Sequence, residues 1–304
     1  MTEQNESANF SQSNFLIVGL ARNCEKKIRR DILAISSAVS QCRSLSWLIV
    51  ESDSTDKTVD ALGKLSHEIP DFRVLSLGSL RESLPLRTQR LAHCRNVYLN
   101  ELQSNPLYAN VDYVIVADLD GVNTLLTASG LMSCWEKTGW DVCTATQRGR
   151  YYDIWALRHS VWSPCDCLKQ NRFLVEHGIR REAARQAAIY SKMITIAEDS
   201  EWIEVDSAFG GLAVYRRAAL TGVEYVGLDD ASDEICEHVT LHKQIKTKGG
   251  HIYINPRLIN AGEIKHSHVN HFVPRFKRLY WDCRLRVRDL CKYVPFGARF
   301  RKNL

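Results

Sequence analysis

At 304 residues with 45% hydrophobic side chains, the chain is long enough to bury a proper core, and a globular enzyme is the default class. Its net charge of +5 belongs to the tail: Phe272 to Leu304 carries ten Lys and Arg against two Asp, leaving 30 basic and 33 acidic residues before it. That distribution excludes a protein basic throughout, and ten cysteines scattered through apolar segments of so long a chain exclude a small disulfide scaffold.

The cysteines therefore read as reduced thiols, and Cys165 with Cys167 forms a lone C-x-C without the second pair a zinc site needs. Residues 1–14, MTEQNESANFSQSN, are polar and read as a disordered N-terminus. They lack the basic-then-apolar layout of a signal peptide, and no apolar run approaches the ~20 residues of a membrane span, so the expected location is cytoplasmic.

In chain order, FLIVGL (15–20) is a short apolar strand, followed by a helical stretch from Glu25 to Cys42. SWLIVES (46–52) is a second strand, and the helix after it opens with Ser54, Thr55 and Asp56, which are suited to capping its N-terminus. DFRVLSL (71–77) is a third strand, RTQRLAHCRNVYLNEL (87–102) a long helix and VDYVIVADLD (111–120) a fourth strand. Alternating strands and helices predict an α/β fold with a mostly parallel central sheet flanked by helices. Beyond it, WDVCTAT (140–146) and FGGLAVY (209–215) read as strands, LVEHGIRREAARQAAIYSKMI (174–194) as helical, DEICEHVTLHKQIKTKGG as a helix ending in Gly, and HIYINPRLI (251–259) as a closing strand. No linker divides the chain, so 15–271 is expected to be one domain in two halves, 15–120 and 121–271.

In such sheets ligands bind beyond the carboxyl ends of the strands, where Glu51, Asp53, Asp118 and Asp120 fall. Two chemistries suit VIVADLDG. In a phosphatase resembling the haloacid-dehalogenase enzymes, Asp118 would attack phosphate and Asp120 would act as acid and base. That motif belongs on the first strand of its domain, whereas here three strand-helix units precede it, and the Thr usual after the Gly is replaced by Val122 and Asn123. In a glycosyltransferase, the two carboxylates would hold a divalent cation against the diphosphate of a sugar nucleotide and offset the charge growing on the leaving group. A non-catalytic sugar-nucleotide binder is a further alternative.

The order of parts favours the transferase. LIVGLARN, LIVESDSTDKT, RTQRLAHCRN and YVIVADLD resemble the nucleotide-sugar half of the GT-A glycosyltransferases. YYDIWALR, FGGLAVYRR and CEHVTLH are similar to the fungal capsule-associated mannosyltransferase family and its bacterial relatives. The resemblance runs from about residue 15 to 260 and implies a Rossmann-like nucleotide-diphospho-sugar transferase fold.

It also implies roles. Asp120 would be the direct metal ligand for Mn2+ or Mg2+, with Asp118 reaching ribose or metal and one of His266, His268 and His271 adding an imidazole. Arg22, Asn23, Glu51 and Asp53 would surround base and ribose, and Arg87, Arg95 and Asn96 would face the diphosphate. Tyr152, Asp153, Trp155, Asp206, Gly210 and Gly211 would wall the sugar and acceptor sites. Glu237 and His238 stand where many inverting members carry an acidic pair, so the general base would be Glu237, His238 or neither. The donor would be a UDP- or GDP-hexose, and the acceptor a glycan or lipid-linked glycan of the cell surface.

The segment 272–304 interleaves Arg and Lys with Phe, Tyr, Trp and Leu. This basic amphipathic helical tail suits peripheral contact with an anionic membrane, at the inner face of the cytoplasmic membrane, or packing on the domain. No nucleic-acid reader motif accompanies it, and no nucleic-acid partner is expected.

Overall fold

The computed structural model describes residues 10–262. His266, His268, His271 and the basic segment 272–304 lie outside the described residues. Eight strands form one sheet: β1 (Asn14–Ala21), β2 (Ser44–Glu51), β3 (Phe72–Ser76), β4 (Tyr113–Asp118), β5 (Val142–Gln147), β6 (Ile203–Val205), β7 (Leu212–Arg216) and β8 (Ile252–Ala261). Their order across the sheet is β3-β2-β1-β4-β7-β5-β8-β6.

Strands β1 to β4 pair in parallel, as do β5 and β8, whereas β7 runs antiparallel between β4 and β5 and β6 runs antiparallel on the edge. The sheet is thus mostly parallel, as expected. The reversal at β7 and the three-residue β6 are departures, because a strand's apolar run does not record its direction and IEV is too short to show a period.

The described residues form seven α-helices: α1 (Ile28–Ala38), α2 (Thr58–Glu68), α3 (Arg87–Ser104), α4 (Ala128–Met132), α5 (Cys167–Glu176), α6 (Arg181–Ala188) and α7 (Glu237–Thr247). Helix α1 buries Ile28, Ile32 and Ile35, one stripe at i, i+4 and i+7. Alternation along the strands sends Phe15, Ile17, Trp47, Ile49, Ile115 and Ala117 into one core with α1, α2 and Leu131 of α4. Their neighbours Leu16, Val18, Leu48, Val50, Val114 and Val116 are equally buried on the opposite face, where α3 packs against β1 and β2. Each such side chain contributes about 1.5–3 kcal/mol on leaving water.

Two expectations need correction, and a third is met. Residues 10–14 are not all a disordered tail: Phe10 is buried, its ring 5.2 Å from Phe15 and 5.1 Å from Trp135, and β1 already begins at Asn14. The helical stretch 174–194 is broken into the end of α5 and α6, because Gly178 turns the chain with φ of 85°. Asp56, a capping candidate, starts α2 by accepting from the backbone N and the Oγ1 of Thr58, at 3.0 and 2.6 Å.

Candidate functional site

Strand β1 has β2 on one side and β4 on the other, so the winding of the sheet reverses between β1 and β4. At such a switch point the loops leaving the carboxyl ends diverge and open a crevice. The register aligns Leu20 with Asp118 and Ala21 with Glu51, which sets Arg22, Glu51 and the Asp118-Leu119-Asp120 turn around one opening. Gly19 makes this arrangement possible: a Cβ there would lie 2.8 Å from both Ala117 O and Leu119 Cδ1, so only glycine lets Leu119 fold in between the two aspartates. A cleft of about 680 Å³ lies at the other end of the strands, beside Asn14, Arg43 and Asp112, and has no paired carboxylates. The strand tips, where the charged groups converge, are the better candidate.

Asp118 ends β4, and its side chain, 42% exposed, opens on the crevice. The protein packed around its inward side raises its pKa, to about 7, by keeping water from that side, while the part open to the crevice moderates the shift. Arg95 opposes the rise, while Asp120, Asp153 and Glu237 add to it. Asp120 is exposed in the turn that follows. A carboxylate held this far from its ordinary range among other carboxylates is a place where a hard cation relieves charge, and the oxygen donors of Asp118 and Asp120 fit Mg2+ or Mn2+. Among the described residues, no group of three His, Cys, Asp or Glu is arranged to hold a metal.

The nucleotide-side candidates gather at the tips of β1 and β2, but two of them are spoken for by the protein. Glu51 is buried, accepting from Ser54 N at 3.0 Å and from Ser76 Oγ at 2.5 Å. Asp53 accepts from Leu80 N and Arg81 N at 3.0 and 3.1 Å and sits 3.8 Å from the Arg90 guanidinium. Both therefore shape the loops around the crevice. Asn23, in the left-handed region with φ of 49°, accepts from Thr55 N at 2.8 Å and ties the first loop to the second. Arg22 and Arg87 are exposed.

Helix α3 carries the largest surprise. Arg95, expected at the diphosphate, is only 3% exposed and turns into the protein. Its Nε donates to Glu237 Oε1 at 2.9 Å, its Nη2 stands 3.6 Å from Asp118 Oδ1, and its guanidinium lies 5.5 Å from the Phe209 ring and 5.6 Å from that of Tyr225. Asn96 likewise faces inward, clasping the backbone of Tyr225 through Nδ2 to O at 2.9 Å and N to Oδ1 at 2.8 Å.

The candidate base pair is buried with it. Glu237 and His238, the first residues of α7, are each 3% exposed, so neither presents itself to an acceptor hydroxyl. Glu237 holds Arg95. His238 stacks on Phe209 at 3.8 Å and 18°, with neither ring nitrogen hydrogen-bonded, and burial, Arg95 and His242 all hold its pKa well down.

Among the residues expected to wall a sugar, Asp153 Oδ2 accepts from Gly210 N at 3.0 Å. Gly210 and Gly211 have φ of 71° and 87°, and a Cβ at Gly211 would lie 2.8 Å from Tyr152 Oη. The tight turn therefore brings Tyr152 and Asp153 against Asp118, whose own N donates to Gly211 O at 2.9 Å. Trp155 turns away, its Nε1 donating to Asp166 Oδ2 at 3.1 Å, and Asp206 is exposed beyond β6 with its backbone N bonded to Arg158 O.

Three buried amides that the sequence reading passed over hold this turn. Asn123 Nδ2 donates to Asp118 O at 2.5 Å, Asn260 Nδ2 donates to Asn123 Oδ1 at 3.2 Å and to Gly210 O at 2.8 Å, and Gln147 Nε2 donates to Gly210 O at 2.9 Å. The available signal was position: Gln147 and Asn260 close β5 and β8, and Asn123 follows the Asp-Gly turn. Lys27 was also missed. Its stem lies along Gly121, where a Cβ would come 3.0 Å from Lys27 Cδ.

Behind the site, His242 is fully buried between Ser207 Oγ at 2.9 Å and Tyr215 Oη at 2.8 Å, and burial pulls its pKa from 6.5 to about 3. A folded pKa below the unfolded one means stability present above pH 6.5 and lost as pH falls toward 3. Urea unfolding is expected to show a loss of several kcal/mol across that window. His242→Gln should flatten the slope, and an unchanged slope would show that other groups set it.

No family model matches the chain, and no curated protein matches it either. Solved structures do. Glucosyl-3-phosphoglycerate synthase from Mycobacterium tuberculosis, in complex with Mn2+, UDP and glucosyl-3-phosphoglycerate, is 15% identical over 98% of this chain and 86% of that one, with a TM-score of 0.47. The mannosyltransferase PcManGT from Pyrobaculum calidifontis, in complex with GDP-Man and Mn2+, is 15% identical over 90% and 61%, with a TM-score of 0.45. TarS 1–349 of S. aureus in complex with UDP is 14% identical over 82% and 60%, with a TM-score of 0.43. The chain spans 61% and 60% of the length of the last two.

Proposed function

We propose that the chain is a metal-dependent GT-A glycosyltransferase that moves a hexose from a UDP- or GDP-sugar to a hydroxyl of a surface glycan such as lipopolysaccharide or capsule. One observation carries this reading: Asp118 and Asp120 stand at the switch point between β1 and β4, where the tips of β1 and β2 complete a crevice for a ligand. Asp118 and Asp120 would hold Mn2+ or Mg2+, which when bound offsets the negative charge gathering on the departing nucleoside diphosphate.

The chain's own residues do the rest. The loops shaped by Glu51, Asp53 and Asn23 form the nucleotide end, with Arg22 and Arg87 exposed there to meet the donor's negative charge. Arg95, fixed by Glu237, holds Asp118 in place. Tyr152 and Asp153 offer a ring and a carboxylate to the sugar across the Gly210-Gly211 turn. Glu237 acts here through Arg95 and is a positioning residue. The basic, aromatic composition of 272–304 supports contact with an anionic membrane, and among the described residues no helix is long and apolar enough to cross one.

Calorimetric titration with UDP, GDP and CDP, with and without Mn2+, tests the reading. One nucleotide is expected to bind in a metal-dependent way, and its hexose donor to turn over with a glycan acceptor. Absence of nucleotide binding would overturn the proposal. Hydrolysis of p-nitrophenyl phosphate that disappears in Asp118→Asn would instead make the protein a phosphatase, and metal-dependent binding without turnover would make it a sugar-nucleotide binder.

A further inference from the structure

Helices α5 and α6 pack on each other as a hairpin between β5 and β6, and the site described above makes no use of its tip. Helix α5 is capped by Asp166, whose Oδ1 accepts from Leu168 N and Lys169 N at 2.9 and 3.0 Å, yet it fully buries only Cys167. Helix α6 buries Ala184 and Ala188, one turn apart. From Glu176 to Ala183 every residue is exposed, so the connection between the helices is a convex tip.

This tip carries large apolar side chains in the open. Phe173 is 57% exposed and stacked on His177 at 4.0 Å, and Ile179 is 44% exposed at the turn made by Gly178. Cations surround them. Arg180 and Arg181 make no ion pair among the described residues, and Arg172 reaches only Asp233, at 3.3 Å, with both side chains largely in water. Glu176 and Glu182 are the acids of the stretch 172–185, against four arginines.

Apolar side chains on a convex tip have no groove to receive a peptide or a small molecule. A soft surface can accept them, and the surplus of arginine selects an anionic one: Phe173 and Ile179 would sink to the boundary between headgroups and acyl chains while the guanidinium groups meet lipid phosphates. We propose that the tip of the α5-α6 hairpin is a shallow insertion point for an anionic phospholipid bilayer. This contact is separate from any made by the segment 272–304 and does not depend on the transferase reading.

Flotation of the full chain with phosphatidylcholine vesicles containing about one third phosphatidylglycerol tests it. The parent should float with these vesicles, weakly with pure phosphatidylcholine, and less as salt rises. A Phe173→Ser, Ile179→Ser double variant should lose at least about tenfold in partitioning, and Arg180→Gln with Arg181→Gln should lose much of the salt sensitivity. All four side chains are exposed, so thermal unfolding should be unchanged and a folding defect is distinguishable. Equal flotation of variants and parent, or no preference of the parent for anionic vesicles, would overturn the proposal. A soluble acidic protein as the true partner would show itself by the second outcome.

Discussion

Replacing Arg95 by methionine is expected to cost the fold about 3–5 kcal/mol, because it strands a charge inside the protein. The Arg95 and Glu237 side chains are each 4% exposed and meet at 2.9 Å, so neither carboxylate nor guanidinium can turn to water when its partner is removed. The ring faces of Phe209 and Tyr225 add a site shaped for a flat cation. Urea unfolding should therefore show a large fall for Arg95→Met, a similar fall for Glu237→Ala, and a partial recovery in Arg95→Met with Glu237→Gln, where the stranded charge is gone. Arg95→Lys should recover little, since an ammonium cannot address two carboxylates from one plane. Additive losses in the double variant would show that the two residues are not coupled.

Asp120→Asn is expected to abolish most turnover while leaving the fold alone. The side chain is exposed and makes no hydrogen bond among the described residues, so its thermal unfolding should match the parent's. Removing one of two anionic oxygens from a divalent cation should lower transfer by about 100-fold or more and take away the metal dependence of nucleotide binding. Asp118→Asn should be equally inactive but at least as stable near neutral pH, because an amide there relieves the crowded charge that raises Asp118 to about 7. A fully active Asp120→Asn enzyme would sink the metal assignment.

The parallel core was legible because β1, β2 and β4 are continuous apolar runs, the signature of strands covered on both faces. The aspartate pair was legible for the same reason: two charges directly after such a run must sit at its exposed end. The fate of Arg95 was not. It faces Glu237 across 142 residues of sequence, and a charged side chain carries no local mark of whether its partner is a ligand or another residue. Glu51 and Asp53 illustrate the same limit, since a carboxylate at a strand end suits a ribose and a loop backbone equally well. The amide ladder of Gln147, Asn260 and Asn123 escaped because amides without charge look like ordinary polar positions until three strand ends are brought together.

The reversed strand β7 has a bearing on biosynthesis. Strands β1 to β4 are joined by crossovers that each carry a helix and are complete by Asp118, so they can pair before the rest of the chain is made, but β4 gains its other neighbour only when residues far later in the chain arrive. Until then the amide of Asp118 lacks Gly211 O, and the wall carrying Tyr152 has nothing to lean on. A nascent chain stalled before Leu212 would thus hold the tips of β1 and β2 in place with the Asp118 turn still unsupported, which separates the moment of folding from the moment of competence.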